Sequence, residues 1–121
     1  MKLTVRNAGS SAELSAIADS GNFLRDFLTG RPVILCREEA IRALLPDNVA
    51  AYLGGDTNDM SGIRLIPMNT ASGSGLAAAF LPDSITAELD GTSKRLDALI
   101  AASPSLKNED FDALISTKLL K

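Results

Sequence analysis

Pro32-Val33-Ile34-Leu35-Cys36-Arg37-Glu38-Glu39-Ala40-Ile41-Arg42-Ala43-Leu44-Leu45 changes character once, just after Cys36. Up to that residue the chain is a short unbroken apolar run, the pattern of a strand buried on both faces. Beyond it, Ile41, Leu44 and Leu45 fall on one helical stripe, and Pro46 ends it. A strand passing directly into a helix is the unit from which layered α/β domains are built.

Working outward, Lys2 to Arg6 alternates with Leu3 and Val5 on one side and predicts a short strand, after which Asn7-Ala8-Gly9 turns the chain. Ser10-x-x-Glu13 has the form of a capping box and predicts a helix carrying Leu14, Ile17, Leu24 and Leu28, interrupted at Ser20-Gly21-Asn22 and closed by Gly30. Asp47 opens a further short helix that Gly54-Gly55 closes. Ile63 to Met68 predicts a strand, and Pro67 places it at a sheet edge or marks its end. Leu76 to Leu81 fits a helix or a strand. Residues 84–96 read as a hairpin about Asp90-Gly91 or as a helix opened by Pro82-Asp83, and the helix is preferred. Helices are also expected through Leu96–Ile100 and from Asn108 to Leu119. The expected fold is a single α/β domain over residues 1–121, with three or four short strands and helices packed against the sheet.

Composition limits the function. Of 121 residues, 45% are apolar, so the chain can build a core, and spare apolar surface points to self-association. The net charge is −3, no Lys/Arg run exists and Tyr52 is the only tyrosine, so neither nucleic acid nor a membrane is an expected partner. The basic N-terminus lacks a following apolar core of the signal-peptide kind, and no apolar run is long enough to span a bilayer. With Cys36 the lone cysteine, a cytoplasmic location is expected. The chain contains no histidine, which removes the Ser-His-Asp triad, the Cys-His pair and any histidine metal ligand. No cofactor or structural metal site is expected.

Two motifs carry candidate chemistry. Cys36 and Arg42 have the C-x5-R spacing that resembles the phosphate loop of protein tyrosine phosphatases, and Pro32 to Arg37 resembles the active-site strand of rhodaneses. Either resemblance implies a thiolate nucleophile at Cys36 with Arg42 holding an oxyanion. The loop between them carries Glu38 and Glu39 and no glycine, and carboxylates there repel an anion and raise a thiol pKa. Gly73-Ser74-Gly75-Leu76-Ala77-Ala78 resembles the G-x-G-x-x-A dinucleotide fingerprint, which implies phosphate binding by Thr70, Ser72, Gly73, Ser74 and Gly75.

Two weaker patterns have ordinary structural readings. Asp83-Ser84-Ile85 resembles the attachment site of acyl carrier proteins, one residue short in its spacing, and reads equally as a helix cap after Pro82. Asp56, Asn58 and Asp59 form an oxygen-rich loop without EF-hand spacing, read as a polar turn. The expected function is a non-enzymatic, self-associating binding module. The alternatives are a small-molecule or nucleotide-binding domain at Gly73–Gly75 and a thiol-dependent enzyme at Cys36.

Overall fold

The computed structural model describes residues 1–19, 24–70, 73–103, 106 and 110–120. It is built from strands: β1 (Lys2–Asn7), β2 (Ser10–Asp19), β3 (Leu24–Arg25), β4 (Pro32–Arg37), β5 (Arg64–Thr70), β6 (Gly73–Phe80), β7 (Ser84–Leu89), β8 (Thr92–Arg95), β9 (Leu99–Ser103) and β10 (Ala113–Ser116). Among the described residues only α1 (Glu38–Ile41) and α2 (Asp47–Leu53) are α-helical, with single 3-10 turns at Arg42–Leu44 and Thr117–Leu120. The α/β expectation is therefore overturned. The described residues form one ten-stranded mixed sheet, to which the short helices are minor attachments.

The largest correction falls on the capping box at Ser10. Ala12, Leu14 and Ala16 point inward while Glu13, Ser15 and Ile17 point out, so the segment has period 2 and extends the sheet as β2. It pairs with β1 across a two-residue turn in which Ala8 (φ 51°) and Gly9 (φ 84°) both take the left-handed conformation that such hairpins require. The Asp83 carboxylate accepts the Ala8 amide (3.0 Å) and holds that turn. Residues 84–95 form the β7–β8 hairpin, with Asp90 (φ 52°) and Gly91 (φ 79°) at its tip, so the helix preferred there is also corrected. The helix expected around Leu96–Ile100 is replaced by β9; of the helix expected from Asn108 to Leu119, residues 113–116 form β10, the 3-10 turn follows, and residues 108 and 109 lie outside the described residues, while Leu99, Ile100, Ala113 and Ile115 are almost fully enclosed. The Leu76–Leu81 ambiguity resolves to strand β6. The helix opened by Asp47 forms as α2, and Gly54 caps it with its amide directed at the Ala50 and Ala51 carbonyls.

The strand order is β5-β6-β9-β4-β10-β2-β1-β7-β8, with β3 paired to β4 off this path. β4 is central and enclosed on both faces, as its apolar run requires. The alternation sorts side chains into two layers. Ile34, Cys36, Ile100 and Ala102 join Leu3, Leu14, Ile85 and Ile115 in the larger core under α1 and α2. Val33, Leu35, Leu99 and Ala101 face the other way, with Ile66, Met68, Ala77 and Ala79.

β10 comes from the C-terminal end of the chain and lies between β2 and β4, parallel to the first and antiparallel to the second. Asp112 fixes this insertion. Its amide donates to the Ser15 carbonyl (2.7 Å) and its carbonyl accepts the Arg37 amide (2.7 Å). Its carboxylate accepts the Ser15 amide on Oδ2 (3.0 Å) and Arg37 Nη2 on Oδ1 (2.8 Å). Burial by itself opposes ionisation of this carboxyl, but the Arg37 guanidinium and the Ser15 amide outweigh it and hold its pKa below the usual carboxylate range. Asp26 is lowered too, first by the Thr29 hydroxyl and, against burial, by backbone amides and Arg64.

For both groups the unfolded chain binds the proton more readily than the folded one. Their contribution to stability is thus complete above about pH 4 and is lost as pH falls below that through the folded values. Asp112→Ala is expected to destabilise the fold by about 2–3 kcal/mol at neutral pH. Urea midpoints measured from pH 6 down to pH 2 should fall less steeply for the variant than for the parent. Parallel curves would show that Asp112 is not the clamp.

Candidate functional site

The residues singled out in the sequence separate in space. Cys36 is fully enclosed in β4, opposite Ala102 of β9 and Ala113 of β10, with Sγ directed at the Ile34 carbonyl (3.9 Å). Burial pushes its thiol pKa far up, and the negative charge of Asp112 adds to the effect. Arg42 lies in the 3-10 turn beyond α1 with its side chain largely in solvent, at 3.8 Å from Glu38. No thiolate–guanidinium pair is assembled. In physical terms Cys36 is a small core hydrophobe.

The glycine motif forms the end of the β5–β6 hairpin. Met68, Asn69 and Thr70 pair with Gly75, Ser74 and Gly73, respectively, while Ser72 lies outside the described residues. The fingerprint needs a helix N-terminus immediately after the glycines, and here a strand follows, so the motif lacks the dipole that would hold a phosphate. An added Cβ at Gly75 would meet no atom within 4 Å, so no close backbone approach accounts for that glycine. Asp56 and Asp59 accept the amides of Asn58 (2.9 Å) and Ser61 (3.0 Å) in ordinary polar turns. Among the described residues no cluster of three His, Cys, Asp or Glu could hold a metal ion. No helix there is long and apolar enough to cross a membrane.

A different region gathers polar groups around the open end of the sheet. β2 and β10 run parallel and finish together, Asp19 in register with Ser116. Ser116 is buried, and its hydroxyl accepts the Lys118 amide (3.2 Å). The chain re-enters the sheet at β3, where Leu24 pairs with Val33 and Arg25 with Pro32. The turn beyond β3 is tightly bonded. The Asp26 carboxylate accepts the Thr29 hydroxyl (2.7 Å) and faces Arg64 of β5 (3.6 Å), and Arg25 Nη1 donates to the Gly30 carbonyl (2.7 Å). Asp19 and Ser116 thus end one pair of strands, and Asp26, just beyond β3, meets Arg64 of β5. Residues 20–23, between β2 and β3, lie outside the described residues.

A family model matches this chain over residues 1–119, that of Peptidase_U4, the sporulation factor SpoIIGA. The chain belongs to that family. No curated protein and no solved structure matches it. Membership in a peptidase family displaces the expectation of a non-enzymatic module, since the match covers nearly the whole chain.

Sequence reasoning had passed over Asp19. The four residues Asp19-Ser20-Gly21-Asn22 read as an interruption of a helix, because Leu14, Ile17, Leu24 and Leu28 happen to fit a helical stripe. Once β2 is a strand, Asp19 stands at its end. The Ala12/Leu14/Ala16 alternation was the signal that could have revealed it.

A buried, protonated thiol should not react. Native Cys36 is expected to resist iodoacetamide at neutral pH and to label fully once the chain is unfolded, as read by mass spectrometry. Cys36→Ala should cost only about 1–2 kcal/mol through the small cavity left. Rapid labelling of the folded chain would place the thiol in the site after all.

Proposed function

We propose that the chain is a peptidase unit whose reacting group is the Asp19 carboxylate, and that two copies associate so that two such carboxylates work as a pair. The observation that carries this reading is the place of Asp19 at the shared end of the parallel β2–β10 pair.

Chemistry supports it by elimination. Peptide hydrolysis needs a group that activates a nucleophile and one that protonates the leaving amine. This chain has no histidine, and its only thiol is enclosed and protonated. Carboxylates remain, and most of them are already committed. Asp112 clamps three strands, Asp26 is bonded to Thr29 and faces Arg64, and Asp56, Asp59 and Asp83 hold turns. Glu13 and Glu88 flank Lys2, Glu38 and Glu39 face arginines, and Asp97 pairs with Arg31. What sets Asp19 apart is its backbone position, at the end of β2 and in register with the end of β10.

A single carboxylate cannot serve as base and acid in the same step. Two held close together share one proton, because like charges at short range cannot both ionise. One then takes a proton from water while the other gives one to the leaving nitrogen. A two-fold axis beside Asp19 would supply the second copy, and a symmetric dimer is the commonest way to obtain it. Ile17, two residues before Asp19 on the outward face of β2, is 45% exposed although apolar, which suits a surface covered by a partner.

Cleavage of a degenerate peptide library, read by mass spectrometry of new N-termini, tests the reading. Asp19→Asn should lower the rate by about 10²–10⁴-fold, and Glu13→Gln should leave it unchanged. Specific activity should rise with protein concentration, and excess Asp19→Asn chain should poison the parent. Activity that survives Asp19→Asn ends the carboxylate reading. Activity proportional to concentration, with no poisoning, ends the two-copy reading.

A further inference from the structure

Between the turn at residues 26–30 and β5 lies an open cleft of about 510 Å³, lined by Leu24, Asp26, Phe27, Gly30, Ile66 and Pro67, with Arg25 at its side. We propose that this cleft is a specificity subsite that takes one bulky apolar side chain of an extended peptide. The proposal rests on the peptidase reading above, since it concerns the substrate of that site.

The volume falls within the roughly 300–1,000 Å³ typical of small-ligand clefts. The charged groups around it are already engaged: Asp26 accepts from Thr29 and faces Arg64, and Arg25 donates to the Gly30 carbonyl. A charged side chain entering the cleft would find no uncommitted counter-charge among these groups, so what they leave to recognise is apolar surface from Leu24, Phe27 and Pro67, with Ile66 buried beneath. Phe27 is 92% exposed, an unusual state for a phenylalanine on a turn fixed by this many hydrogen bonds. A rigid turn presenting an uncovered aromatic ring beside a cleft suits an incoming apolar group at little entropic cost.

Two observations favour an extended peptide over a second copy of the chain. Leu24 pairs with Val33, two residues before Leu35 in β4, and Leu114, the antiparallel partner of Leu35, is two residues before Ser116, so Leu24 lies towards the same end of the sheet as Ser116 and Asp19. β5 ends the strand order, with β6 as its partner, so its other edge offers a track along which an extended chain can run. Pro67 removes an amide from the middle of β5, which disfavours a continuous ladder with the same strand of another copy. A substrate anchored mainly through one side chain does not need that ladder.

The test uses the intact Asp19→Asn chain, whose amide NMR spectrum is followed as hexapeptides are added. One set has phenylalanine fixed at the third position and the other alanine, with all other positions degenerate. The phenylalanine set should shift Leu24 to Gly30 and Ile66 with an affinity about tenfold higher than the alanine set. Pro67→Trp, which fills the cleft from its exposed rim, should remove that preference, and Phe27→Ala at an exposed position should weaken it by about fivefold. In the otherwise unaltered active chain, Pro67→Trp should lower kcat/KM for the phenylalanine set about tenfold and spare the alanine set. Equal shifts for both sets, or none in the cleft, would overturn the proposal. So would cleft shifts that appear on concentrating the chain without peptide, because a second copy would then be the occupant. Cleavage that survives Asp19→Asn would instead overturn the reacting-group reading, and the titration would still decide the cleft.

Discussion

Asp112 makes both of its backbone bonds and both of its carboxylate bonds to strands far from it in sequence. These four bonds hold β10 between β2 and β4. β2 and β4 are near neighbours along the chain, yet β10 lies between them, arriving from almost a hundred residues beyond β2. Inserting a strand late in the chain between two early ones is entropically expensive, because a long loop must close before any ladder bond forms. A charged residue satisfied on both sides at once makes the correct register differ from a slipped one by several bonds together. A slip of one residue would also turn Ala113 and Ile115 out of the core and Leu114 into it.

The clamp also governs the chemistry at each end of these strands. Near its own end it places a negative charge beside Cys36 and so reinforces the burial that keeps the thiol protonated. At the opposite end, four residues on, the register it sets brings Ser116 level with Asp19. The strand that fixes the topology and the strand that carries the proposed reacting carboxylate therefore share one ladder. A fold that gave up this register would lose the position of Asp19 before it lost its hydrophobic layers, because the layers tolerate small shifts and a reacting group does not.

Some of this architecture was legible in the residues. β1, β4 and the edge strand β5 follow from local alternation, the apolar run of β4 and Pro67, and α2 from Asp47 and Gly54. The errors share a physical cause. Ile17 and Leu28 are apolar but stand 45% and 76% exposed, and counting them as core residues makes a period-2 segment look like a helical stripe. Asp90-Gly91 did carry the hairpin signal, and a proline opening suggested a competing helix. The pairing of residues 113–116 with 16–19 and 35–36 has no local signature at all, since it is decided by long-range fit. Cys36 and the Gly73–Gly75 motif drew attention because their residue types are chemically distinctive. Asp19 went unnoticed because one aspartate among small residues looks like a turn until its strand is known.

The proposed pairing of two chains follows from a limit on what one copy can do. A lone carboxylate in water titrates near pH 4, so at neutral pH it is a weak base and has no proton to give. Bringing a second identical carboxylate beside it changes both faults at once. Repulsion raises one proton affinity and the other group remains ionised, which yields an acid and a base from the same residue type. A chain carrying two such groups would have to build two different environments. A symmetric dimer builds one environment twice and lets the shared proton break the symmetry. Among the described residues the buried side-chain polar atoms are nearly all hydrogen-bonded, so a reactive pair placed on a symmetry axis would leave the rest of the fold free to be optimised for stability alone.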